Sequence, residues 1–364
     1  MKTLFTGDIC PTDYTRESFA EGDIATLFTD TAELFKEADF AFVNLECAIT
    51  DTDGKILKYG PNLKAPHATA KMLKELGVTV AGISNNHVFD FGRAGALDTL
   101  AALDEAGVDH TGFGENYEDS RKDYIFEKDG ERIAVIAVCE HEYSYALEDR
   151  MGSRPFDEFE TIEDIRKAKS GADRVIVAYH GGKEMCHYPS PRLIRACRAM
   201  VRAGADLVMC QHTHCLGAYE NYNGGHIIYG TGNFNFVNPT DKDVCWHDGM
   251  AVKYDTRSNE IEIVPTHELP DGSGITVAKG EKLAAMKADI ELYSNSLKDG
   301  TWKKGWHDFC VERSSSYLSK LAVFLLPEAT EKERGILSHY LDCEAHNDLL
   351  REVFPSFNLT NEKD

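Results

Sequence analysis

Between Lys2 and Cys210 this 364-residue chain alternates seven short apolar runs of strand type with five helical stretches, and no other feature restricts its fold as much. The runs lie at 2–6, 39–44, 78–84, 108–111, 133–139, 174–180 and 206–210, and the helical spacing at 23–38, 66–76, 93–106, 160–169 and 190–203. Strand–helix alternation of this length predicts βαβ units, mostly parallel pairing and sheets faced by helices. Four further runs, at 219–222, 226–230, 249–254 and 260–265, have no helix between them, and Asn223-Gly224-Gly225 is a hairpin signal between two of them. The expected fold is therefore α/β with mixed sheets. After Pro270-Asp271-Gly272-Ser273-Gly274 the spacing turns helical over 279–299, 302–326 and 329–353. This predicts an α/β domain over 1–270 and a helical extension over 275–364, covering a sheet face or, alternatively, forming a lid or partner surface.

Five of the runs end in side chains of metal-ligand type: Gly7-Asp8, Asn44-Leu45-Glu46, Asn85-Asn86-His87, His180 and Gln211-His212-Thr213-His214. Each has a plain alternative. Asp8 alone would be a turn or capping residue, His87 a structural histidine, and His180-Gly181-Gly182 an ordinary strand-to-loop turn. Glu46 is harder to dismiss, because a carboxylate at a buried strand end is costly unless paired or metal-bound. His212-Thr213-His214 is the strongest local signal, imidazole being a common transition-metal ligand. Strand ends of one sheet edge converge on ligand sites in open α/β folds. The five clusters together predict one site for two divalent transition metals, a pair that shares a water and lowers its pKa at a separation of about 3.5–4 Å. His87 is placed to serve as general acid.

Composition narrows the partners. A net charge of −22 argues against non-specific binding to nucleic acid or to anionic lipid, and leaves room for a small or polymeric anionic substrate held by local cations. Lys64, Arg93, Lys183 and Arg192 lie near the motifs, although each is more readily a surface charge. No window has the ~20 apolar residues of a membrane span and no signal peptide is evident, so the expected location is the cytoplasm, with no membrane span. The ten cysteines are irregularly spaced and are expected to be reduced.

The ordered motifs Gly7-Asp8, Asn44-Leu45-Glu46, Asn85-Asn86-His87, His180-Gly181-Gly182-x-Glu184, Gln211-His212-Thr213-His214 and Tyr229-Gly230-Thr231-Gly232-Asn233-Phe234 resemble the CapA capsule-synthesis family. That family is named for poly-γ-glutamate capsule formation and is a branch of the calcineurin-like metallophosphoesterases. The resemblance covers about residues 2–255. It implies a four-layer α/β/β/α sandwich of the metallophosphoesterase type with zinc, manganese or iron at one edge. Asp8 and His214 would hold one metal, and Asn86, His180 and His212 the other, with Glu46 between them. His87 falls on the catalytic histidine, and Glu184 and Asn233 would orient ligands from outside the ligand set. The implied function is a metal-dependent hydrolase of a phosphoester or a γ-glutamyl-type amide. The alternative is a non-catalytic accessory protein that binds polymer or a partner enzyme. Two departures stand out. Asp8-Ile9-Cys10 replaces the superfamily's Asp-x-His, so Cys10 is either a thiolate ligand favouring zinc or iron, or a core residue. Glu46 replaces the usual bridging aspartate. The N-terminal anchor common in the family is not recognisable here either, which makes a direct role in polymer export less expected.

Overall fold

A computed structural model of the chain describes residues 1–354. The strands that build its two large sheets are β1 (Lys2–Ile9), β2 (Phe40–Leu45), β3 (Val80–Gly82), β4 (Asp109–Thr111), β5 (Tyr124–Lys128), β6 (Glu131–Cys139), β7 (Arg174–His180), β8 (Leu207–Gln211), β9 (Tyr219–Tyr222), β10 (Gly225–Ile228), β11 (Asn233–Asn235), β12 (Asp248–Asp255), β13 (Glu260–Glu268) and β14 (Ile275–Val277). The first sheet runs β14-β13-β12-β1-β2-β3-β4, with β11 pairing the far end of β1. The second runs β9-β10-β8-β7-β6-β5. β1 to β4 pair in parallel, as do β6, β7, β8 and β10, while β12 to β14 and the edge strands β5 and β9 run antiparallel. Both sheets are mixed.

Three apolar layers show how the sheets stack. Phe5, Phe40, Phe42 and Val80 of the first sheet share one buried cluster with Val135, Ile176, Met209 and Ile228 of the second, so the sheets pack face to face. Full burial of each such side chain stabilises the fold by about 1.5–3 kcal/mol. The outer face of the first sheet is covered by helices α1 (Ala68–Leu76) and α2 (Gly92–Ala106), through Leu73 and Leu103. The outer face of the second is covered by α3 (Glu160–Gly171) and α4 (Pro191–Ala203), through Ile165, Leu193 and Met200. The architecture is a four-layer α/β/β/α sandwich.

Two helical stretches differ from expectation. The single helix expected over 23–38 is split into Ile24–Phe28 and Ala32–Lys36 by a 3-10 turn at Thr29–Thr31, where Thr29 has φ 38°. The stretch 329–353 is likewise two helices, α7 (Glu331–Asp342) and α8 (Glu344–Val353), because Cys343 between them is extended at φ −66° and ψ 128°. With α5 (Gly280–Asp299) and α6 (Trp302–Phe324) they complete the C-terminal helices. α5 contributes Met286 and Ile290 to the inter-sheet core. α6 to α8 form their own cluster, Trp306, Cys310, Tyr317, Phe324, Ile336, Tyr340 and Leu349, joined by Cys186 from the loop after β7.

α8 is anchored by polar contacts at its first turn. Glu344 accepts from the His141 backbone N–H at 2.8 Å and lies 2.7 Å from His141 Nδ1. Burial pulls the His141 pKa down, but Glu344 outweighs it, with Asp342 and Glu140 adding to the rise, so the net shift is above the usual 6.5. A raised histidine pKa gives stability that is complete below the unfolded value and is lost as pH rises through the folded one. Docking of α7 and α8, measured by hydrogen exchange, is therefore expected to be tighter at about pH 6 than at about pH 9. His141→Gln should remove the difference; an unchanged pH dependence in that variant would refute the assignment.

Candidate metal centre

Every strand end named from the sequence reaches one edge of the sandwich. β1 brings Asp8 there through an irregular register, with shifts between Phe5 and Asp8 against β2 and between Asp8 and Ile9 against β11. Such bulges re-aim a side chain. Gly7 allows the close approach, since a Cβ there would lie 2.1 Å from the Gly232 carbonyl oxygen. Asp8 is fully buried; it accepts from Asn44 Nδ2 at 2.7 Å and from the His212 backbone N–H at 3.0 Å. Burial, reinforced by Glu46, raises its pKa to about 6.

Beyond β2, Glu46 is also fully buried, and neither of its carboxylate oxygens has a hydrogen-bond partner. The turn after β3 is held by Asn85, whose Oδ1 accepts from the backbone N–H groups of His87 and Val88 at 3.1 and 3.0 Å, and whose Nδ2 donates to the Leu45 carbonyl at 2.8 Å. That turn aims Asn86 inward, with Oδ1 3.0 Å from His180 Nε2. β7 ends on His180, whose Nε2 lies 3.3 Å from Glu46 Oε1. Burial and the neighbouring His212 lower the His180 pKa to about 3, so the ring is neutral.

After β8, His212 and His214 both adopt left-handed backbone, φ 76° and 52°. Non-glycine residues pay for that conformation, and such strain gathers at functional sites. Glu46, His212 and His214 each offer a ligand atom within 4.8 Å of the others. His212 Nε2 faces Glu142 Oε1 at 3.1 Å, whereas its Nδ1 is buried without a partner. Burial would lower the His212 pKa, but Glu142, Glu184 and Glu46 raise it to about 10. His214 Nδ1 lies 2.9 Å from Asn233 Oδ1 and 3.7 Å from Asp8 Oδ2. Asn233 is itself fixed by donating to the Trp246 carbonyl at 2.9 Å, and the Trp246 ring lies 4.5 Å from that of His214.

Asp8, Glu46, Asn86, His180, His212 and His214 thus come together. Cys10 takes a different position, in the apolar layer with Leu45 and Cys47, where burial pushes its thiol well up. Glu184 acts on His212 through its charge and makes no hydrogen bond to it among the described residues. Its side chain is about half exposed, with Lys183 3.7 Å away, and the contact to a ligand histidine belongs to Glu142. His87 is held by Asp90 at 2.7 Å from Nδ1, and Lys58 lies 2.5 Å from the other Asp90 oxygen. Burial raises the Asp90 pKa, but His87 and Lys58 more than offset it, and the carboxyl stays below its usual range.

Glu142, Asp90 and Lys58 were not singled out from the sequence. Glu142 could have been, because Glu140-His141-Glu142 tips the apolar run 133–139 as the other clusters tip theirs. Asp90 stands three residues beyond His87. Lys58 sits in an irregular loop and carries no signal. Among the arginines and lysines near the motifs, Lys64 pairs with Asp53, Arg93 with Glu115, and Arg192 is buried against Glu140 and Asp348.

Comparison with known proteins identifies the family. Residues 2–238 match the family described as bacterial capsule synthesis protein PGA_cap. The chain is 30% identical over 313 residues to the capsule biosynthesis protein CapA of Bacillus anthracis, covering 82% of this chain and 74% of that one. It is 30% identical over 280 residues to the PGA biosynthesis protein CapA of Bacillus subtilis strain 168, covering 74% and 72%. A probable polyglutamine synthesis accessory protein of Mycobacterium tuberculosis is 28% identical over 209 residues, covering 54% and 55%. No helix among the described residues is long and apolar enough to cross a membrane. The chain belongs to the bacterial capsule synthesis protein PGA_cap family, which includes the CapA proteins.

Proposed function

We propose that this chain is a metal-dependent hydrolase acting on a phosphoester or a γ-glutamyl-type amide in the metabolism of a capsule or poly-glutamate polymer. The observation that carries the reading is the fully buried Glu46 carboxylate, with both oxygens unpartnered and three imidazoles around it. A buried carboxylate with no hydrogen-bonded partner is costly to keep in a fold. A bound cation removes that cost. It also satisfies His212 Nδ1, which is orphaned whether it carries a proton or a lone pair.

Asp8 and His214 would hold one metal, Asn86, His180 and His212 a second, and Glu46 both. When bound, the pair would supply an acidified water and neutralise charge developing on the substrate. The protein's own groups do the rest. His87 Nδ1 donates to Asp90, which fixes the tautomer and leaves Nε2 as the ring nitrogen able to reach a ligand. A nitrogen donating to Asp90 cannot also accept from Lys58 at 3.1 Å, so Lys58 acts by neutralising the Asp90 charge. In this reading His87 Nε2 carries the proton given to the leaving atom, and Asp90 stabilises the ring while it is charged.

The accessory reading, a polymer-binding protein that performs no chemistry, is favoured by the word "accessory" in the name of the mycobacterial relative and by Cys10 standing where the superfamily has histidine. Elemental analysis of protein purified without chelator separates the two. About two equivalents of zinc, manganese or iron are expected, lost in a His212→Ala/His214→Ala variant. Because His212 must shed its proton to bind, metal uptake should release protons and tighten as pH rises. Protein that takes up no metal even after reconstitution would leave only the accessory reading.

A further inference from the structure

The metal centre opens into a cavity of about 380 Å³ whose far wall comes from α6 to α8, beyond residue 238 where the family match ends. Four cations line it: Lys58, Lys183, Arg313 and Lys320. Two of them are spent. Lys58 is paired with Asp90, and Lys320 donates to the Tyr59 hydroxyl at 2.8 Å while lying over that ring.

The other two are held less firmly: Lys183 faces the Tyr317 hydroxyl and Glu184, and the Arg313 guanidinium lies 5.5 Å over the Phe309 ring. Lys183, three residues past His180, keeps only 10% of its side chain exposed, and its closest carboxylate oxygen, on Glu184, is 3.7 Å away. Burial pulls its pKa down, but Tyr317 and Glu184 outweigh that, so it stays charged. Arg313 on α6 comes no nearer than 4.0 Å to Asp243, and its Nε is buried without a partner. Tyr317 is four residues further along the same helix and lines the same cavity. Neither cation has a carboxylate within hydrogen-bond distance, so both keep donors for an anionic acceptor. In a chain of net charge −22 they also form a local exception to the surrounding field.

We infer that Lys183 and Arg313 form a subsite for a second anionic group of the ligand, a carboxylate or a phosphate, beside the group that reaches the imidazole cluster. The inference rests on reading this cavity as the substrate cavity of the proposed hydrolase. The guanidinium fork matches both anions in two-point contact, while the ammonium adds a point charge. The C-terminal helices then select ligands bearing two negative groups and disfavour those with one.

The test is calorimetric titration of the metal-loaded protein with glutarate, inorganic phosphate and acetate, repeated on Lys183→Met, Arg313→Ala and the His212→Ala/His214→Ala variant. Glutarate or phosphate should bind about tenfold or more weaker in each of the first two variants, and wild-type binding should weaken as salt is added. Arg313 is partly exposed, so its loss should not disturb folding even where Lys183→Met does. Dependence of glutarate binding on the two cations identifies a carboxylate-bearing ligand, and dependence of phosphate binding a phosphate-bearing one. Binding equal to wild type in both cation variants, or lost only when the two histidines are removed, would overturn the subsite. Failure of the hydrolase reading shows separately, as absent metal in the wild-type protein.

Discussion

His87→Ala is expected to lower turnover by about 10²- to 10⁴-fold while leaving bound metal unchanged. The separation follows from geometry. His87 contacts Asp90 and lines the cavity, but it belongs to neither the Glu46–His212–His214 group nor the contacts of His180. Removing the ring leaves Asp90 paired with Lys58, so no buried charge is stranded and the fold should survive. The measurement is a rate on a chromogenic phosphodiester and on a γ-glutamyl anilide, beside elemental analysis of the same samples. Asp90→Asn should also slow turnover, by loss of the preferred tautomer. Wild-type rates in His87→Ala protein would remove this residue from the chemistry.

The sequence made the strand ends legible because each combines two signals: an apolar run that must be buried, and a polar tip that should not be. Asp8, Glu46, Asn86, His180, His212 and His214 all carry that contradiction, and the sandwich resolves it by bringing the tips to one edge. The α/β alternation was equally readable, since parallel strands covered on both faces appear as unbroken apolar runs, whereas the four-layer stacking was implied by the family resemblance. What escaped was set by tertiary contact. Asp8-Ile9-Cys10 left Cys10 open as ligand or core residue, and its side chain lies in the apolar layer beneath the first sheet. Glu184 follows His180 closely in sequence but stays at the cavity edge, while Glu142 arrives from β6 to fill the position next to His212. The breaks at Thr29–Thr31 and at Cys343 leave no glycine or proline in the sequence to announce them.

Glu142→Gln should show how far ligand orientation depends on residues outside the ligand set. The carboxylate accepts from Asn86 Nδ2 at 3.2 Å on one oxygen and faces His212 Nε2 at 3.1 Å on the other. Both contacts have a consequence for the metal side. Fixing the Asn86 amide nitrogen on Glu142 turns Oδ1, the only ligand atom asparagine has, toward His180. Placing the His212 proton on Nε2 leaves the Nδ1 lone pair for a cation. Histidines that hold metals commonly lean on a carboxylate in this way. Burial raises the Glu142 pKa, but His212, His339 and His346 overcome it and keep the group ionised, so it accepts on both oxygens. Glutamine has the same shape but only one accepting atom. Its amide nitrogen would face another donor, either Asn86 Nδ2 or His212 Nε2. One ligand must turn away, and metal affinity measured by competition with a chelator should fall by about 10- to 100-fold. Glu142→Asp, which keeps both accepting oxygens, should recover part of the loss. A purely structural role would lower thermal stability in Glu142→Gln and leave the chelator competition where it was in the wild type. That pattern would return Glu142 to the scaffold and leave the orientation of His212 and Asn86 to the backbone alone.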